Sequence, residues 1–239
     1  MQNWKKYKSL IFLFLFDFTM VALFYLFPNK RLFDLDGENN IPTLYQASKL
    51  ILIAFFSLAL LLLNQYFKLF NNQIRLILIF FFLVFFFLGI DEAGQIHENI
   101  AIYFHEFFPQ PTSEYIEESR EVGFKSSEWL LFYWPIILAF VISFIFLFRT
   151  IISKYIIDKH KLLVVGSLFF ISVPIIEFLN TSETSFMINN YKEMIVLEES
   201  AEMIGASIFF VYFVTFFDSQ LIRLIKARED LSSRNPKSS

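Results

Sequence analysis

The chain contains no cysteine, which removes disulfide bonds, thiolate metal sites and cysteine nucleophiles from consideration. It has only three histidines, so any metal centre has to be built mainly from oxygen ligands. Net charge is −3, and the 20 Lys and Arg are scattered singly, which leaves no basic face for nucleic acid. Also missing is the alternation of apolar and polar positions by which a soluble domain keeps one face wet. The stretch from Leu76 to Ile90, for example, has no polar side chain at all.

What the chain does have is hydrophobic mass: 56% of its residues are hydrophobic, including 35 Phe, and they come in long unbroken blocks. That is the composition of a membrane protein. Blocks near the roughly 20 residues needed to cross the hydrocarbon core fall at about 9–27, 50–67, 75–97, 129–148, 162–180 and 195–217. Backbone hydrogen bonding in lipid makes them helices, so the expectation is an all-α polytopic bundle of six transmembrane spans forming one domain over 1–231. The first block follows Lys5, Lys6 and Lys8 like a signal peptide, but no small-residue cleavage site follows Phe27, and it reads as a retained span. Residues 232–239 read as a disordered cytoplasmic tail.

Orientation follows from the basic residues of the connections. Lys5, Lys6, Lys8, Lys68, Arg75, Arg149, Lys154, Lys159, Lys161 and the C-terminal Arg and Lys fall on the N-terminal side, whereas Lys30, Arg31, Lys49, Arg120, Lys125 and Lys192 fall opposite. The expected topology is N-in and C-in, in the plasma or inner membrane. Trp129, Tyr133 and Trp134 then open the fourth span at the outer interface, where such rings prefer to sit. The outer loop 99–128 mixes aromatics with acids and is a candidate lid or partner surface.

The chemistry-bearing residues gather at the outer helix ends. The third apolar run is short of a full span and leads directly into IDEAGQIHENI, so its acids belong in the bilayer or its outer interface. On a helical wheel Asp91, Gln95, Glu98, Ile102 and His105 form one stripe, flanked by Glu92 and His97. The sixth span enters as IVLEESAEMIGAS, with Glu198, Glu199 and Glu202 in one arc beside the small residues Ala201, Gly205 and Ala206, which allow close helix approach. Glu177 lies near the outer end of the fifth span, three residues after Pro174. Asp17 stands apart near the middle of the first span, suited to a proton relay or to a neutral hydrogen-bonded role.

Read this way, the seven acids share a layer without a Lys or Arg inside any span. Like charges cannot all stay ionised together, so the layer calls for protons or for a bound divalent metal ion, Mn, Fe, Zn or Ca. The expected metal ligands are Asp91, Glu98, Glu177, Glu198, Glu202 and His97, with Glu92, Glu199 or His97 as the catalytic acid or base. The leading expectation is a metal-dependent membrane enzyme acting on a lipidic or periplasmic substrate. The alternatives are a proton- or cation-coupled transporter and a non-catalytic subunit or assembly factor that engages a protein partner through the outer loop. A solvated interfacial cap is the plainest account of Glu198 and Glu199, since acids favour a helix N-terminus. The Glu198–Glu199 pair resembles the Glu-Glu-x-x-x-Arg motif of intramembrane CAAX-type proteases, but Met203 stands where the Arg belongs, and no role is carried over.

Overall fold

The computed structural model describes residues 2–27, 30–35, 40–94, 161–180 and 191–234, with isolated positions at 96 and between 134 and 145. Five long helices carry the described fold: α1 (Gln2–Leu26), α2 (Ile41–Phe67), α3 (Asn72–Gly94), α4 (Lys161–Asn180) and α5 (Tyr191–Arg234), with a short 3-10 turn at Arg31–Phe33. α1, α2, α3 and α5 are long and apolar enough to cross a membrane, and Lys161–Ile176 is a shorter apolar helix. The chain is thus helical throughout the described residues and has the make-up of a multi-pass membrane protein. Most of the fourth expected span and all of the outer loop 99–128 lie outside the described residues.

The helix ends follow local chemistry. Asn40 caps α2: its backbone is extended, and its Oδ1 accepts the Thr43 N–H at 2.9 Å, with Pro42 in the first turn where a missing N–H costs nothing. α2 therefore begins at Ile41, not at residue 50, and the two turns before the apolar run belong to the helix. At its other end Lys68 adopts the left-handed conformation, φ 49°, and its N–H bonds Asn64 O at 2.9 Å. Asn71 then accepts the Ile74 N–H at 3.0 Å and starts α3, so the short link makes α2 and α3 antiparallel neighbours. α4 continues through Pro174 to Asn180. α5 runs to Arg234, so residues 232–234, expected as tail, are helical.

α2 packs along α3 and α5, α4 lies on α5, and α1 also lies against α5. Where α2 crosses α3, a Cβ on Gly89 would come within 2.7 Å of Ile51 Cγ1 and 3.3 Å of Ala47 O, so only glycine allows this approach. At the α4–α5 crossing, Phe169 and Phe170 cover Gly205 as the small-residue pattern implies, and Phe209 covers Gly166. Phenylalanines fill the centre: Phe85 and Phe209 lie 4.9 Å apart edge to face, and Phe81, Phe170 and Phe213 pack around them. Between helices in lipid it is this interlocking, not transfer from water, that stabilises the bundle. On the outside, Phe12, Leu15 and Phe18 of α1 stay exposed, as a lipid-facing surface requires.

Candidate functional site

Asp17 does not stand apart. Its side chain is buried, and α2 and α5 supply its partners. Tyr45 Oη donates to Asp17 Oδ1 at 2.8 Å, Ser207 Oγ donates to Oδ2 at 2.7 Å, and Lys49 Nζ donates to Oδ1 at 3.0 Å. Lys49 also donates to Met203 O at 3.0 Å and to Ser207 Oγ at 3.2 Å. An ammonium has three N–H donors, and three acceptors meet them. The ring of Tyr45 lies 4.1 Å from the same ammonium and 4.7 Å from the Phe16 ring, which adds a cation–π face and shields the pair from lipid.

Lys49 overturns a premise of the sequence reading, which assigned it to an outer connection. Because Asn40 starts the helix nine residues earlier than expected (50 − 41), Lys49 sits two turns inside α2 and is 4% exposed. The acid layer therefore contains a cation. The carboxylates of Glu202 and Glu92 both lie within electrostatic reach of it. Four helices, α1, α2, α3 and α5, bring charge to this end of the bundle.

Of the expected site residues, Asp91 and Glu198 are buried, while Glu92, Glu199 and Glu202 are half-buried. All five take part in interactions of their own. Among the described residues, no group of three or more Asp, Glu or His could hold a metal ion. His97, Glu98 and His105 lie outside the described residues, as does the side chain of Glu177, whose backbone belongs to α4. Three functional side chains escaped the sequence reading: Tyr45, Ser207 and Gln46. Gln46 is 2% exposed, and among the described residues neither its Nε2 nor its Oε1 has a hydrogen-bond partner. An unmet buried polar group costs about 1–3 kcal/mol, which in a bundle otherwise well paired singles this residue out. The available signal was the Asn40-Ile41-Pro42 helix start, which draws Tyr45, Gln46 and Lys49 into the span.

The arrangement is a closed buried salt bridge with a second set of carboxylates close by. No curated protein and no solved structure matches the chain. Residues 12–216, which hold every member of the ion-pair network, match the model of a domain of unknown function (DUF8692), and the chain belongs to that family.

Proposed function

We propose that this multi-pass membrane protein is a proton- or cation-coupled transporter whose coupling element is the Asp17–Lys49 pair. The observation that carries the reading is that Lys49 has one carboxylate in contact and two more, Glu92 and Glu202, within electrostatic reach. Taking up a proton at Asp17 cancels the charge that holds the ammonium. Lys49 then has carboxylates on other helices to turn to, and the tie of α1 to α2 and α5 is loosened. A charged group with two discrete sets of partners is the kind of bistable element that alternating access requires. Flux in proteoliposomes tests this: an imposed pH or Na+ gradient drives cation movement in the native protein, and Asp17→Asn and Lys49→Met each abolish it. Native protein that moves neither protons nor cations, or variants with undiminished flux, would sink the reading.

The metal-dependent enzyme is the second reading. It is favoured by the burial of Asp91 and Glu198, two of its expected ligands, at 7% and 8% exposure. In this reading Asp91, Glu98, Glu177, Glu198, Glu202 and His97 hold a divalent Mn, Fe, Zn or Ca ion, and Glu92 or Glu199 serves as base. Elemental analysis of protein purified without chelators decides it: a stoichiometric metal that is lost in Glu198→Gln supports the enzyme, and its absence rules the enzyme out.

A further inference from the structure

Gln46, Glu92 and Glu202 each lie seven residues from a fully buried core side chain: 46 to 53, 92 to 85 and 202 to 209. Ile53, Phe85 and Phe209 are all at 0% exposure and belong to one packed cluster. Seven residues are two helical turns, so each polar residue repeats the core-facing position of its partner about 10 Å further along the helix. α2 and α5 run one way and α3 the other, and in all three the step leads toward the same end of the bundle. Gln46, Glu92 and Glu202 thus form a polar layer stacked above the apolar one. Both carboxylates have interactions of their own. Among the described residues, the unmet hydrogen-bonding capacity is that of Gln46, on both Nε2 and Oε1.

We infer that this layer is a binding site for a monovalent alkali cation, with the Gln46 carbonyl and the Glu92 and Glu202 carboxylates as its oxygen ligands. An oxygen-only donor set selects hard cations. The Lys49 ammonium within reach of both carboxylates weakens the negative potential of the layer, and because an ion's desolvation cost rises with the square of its charge while its attraction rises only linearly, the weaker potential favours a monocation over a dication. A bound cation drawing the two carboxylates toward α2 uses both ends of the carboxamide: Oε1 faces the ion, and Nε2 donates to a carboxylate oxygen. The inference extends the cation-coupled reading by giving the ion a place, but it concerns binding alone.

Thermal unfolding of the full chain in detergent tests it. Protein freed of alkali ions is titrated with NaCl or KCl against choline chloride at matched ionic strength, with MgCl2 and CaCl2 as further arms. The native protein is expected to show a saturable rise in Tm with Na+ or K+ that choline does not reproduce. Gln46→Leu, which removes the unpartnered carboxamide, is expected to abolish that rise while having an ion-free Tm at or above the native value. Glu202→Gln is expected to weaken the ion response at least tenfold in midpoint concentration. A response equal in choline, one confined to Mg2+ or Ca2+, or one that survives in Gln46→Leu would overturn the site. Proton-driven flux that persists without alkali ions, alongside absent binding, would remove the site and leave the transporter reading standing.

Discussion

The Lys49 ammonium lies 3.0 Å from the Asp17 carboxylate across 32 residues of sequence, with both side chains only 4% exposed. Breaking such a pair from one side leaves an uncompensated buried charge, which costs about 3–5 kcal/mol, whereas removing both charges together is often close to neutral. Lys49→Met alone and Asp17→Asn alone are therefore expected to lower stability by about that amount, and the double variant is expected to recover most of the loss. Urea or thermal unfolding of all four proteins closes the cycle. Additive losses would mean that the pair contributes nothing as a pair.

The start of α2 sets the depth of that pair. Asn40 Oδ1 accepts from the backbone and the hydroxyl of Thr43, at 2.9 and 3.0 Å. Asn40→Ala removes both bonds, together with the one that Asn40 Nδ2 donates to Asp34 O, and is expected to cost about 1–2 kcal/mol. Asn40→Asp keeps the acceptor but loses the Nδ2 donor and sets a carboxylate oxygen against the Asp34 carbonyl, so it is expected to recover only part of the loss. Equal losses in the two variants would show that the cap is not what fixes this end.

Gly89 and Gly94 stand in the same helix and make opposite predictions. A Cβ on Gly89 meets Ile51 Cγ1 at 2.7 Å and Ile51 N at 3.2 Å, so α2 and α3 have to part. Among the described residues, a Cβ on Gly94 meets nothing closer than Ile96 Cγ1 at 3.6 Å, an ordinary contact. Gly89→Ala is expected to destabilise by about 1–3 kcal/mol through overpacking. Gly94→Ala is expected to stay within about 0.5 kcal/mol of native or to stabilise slightly. Thermal unfolding of the two side by side checks both.

The apolar helices were legible because lipid imposes a single rule: a long run of Leu, Ile and Phe must be a helix with its backbone bonds closed. The acid end was legible in part for the same reason, since Asp91 follows an apolar run too short to finish a crossing. What stayed hidden is non-local. Asp17 looked isolated because Lys49 and Ser207 are 32 and 190 residues away. Lys49 looked like a loop residue because the hydrophobic run begins only at Leu50, while the helix begins at its polar cap. A hydropathy count sees the greasy part of α2 and discards the two turns that carry the chemistry.

Those two turns also fix what a topology measurement should find. Gln73, just inside α3, and Leu32, on the turn between α1 and α2, are both exposed and lie at opposite ends of α2. The chain has no cysteine, so Gln73→Cys and Leu32→Cys each give a single reporter thiol. The Gln73 end belongs to the side expected to hold most of the chain's Lys and Arg, among them Lys68 and Arg75, and the positive-inside bias predicts that this end faces the cytoplasm. A membrane-impermeant maleimide added to intact cells is expected to label Leu32→Cys and to reach Gln73→Cys only after the membrane is opened. The reverse pattern would invert the orientation while leaving α2 a span. Labelling of both from the same side would mean that α2 does not cross, and the Asp17–Lys49 pair would then lie at a membrane surface instead of within the bilayer.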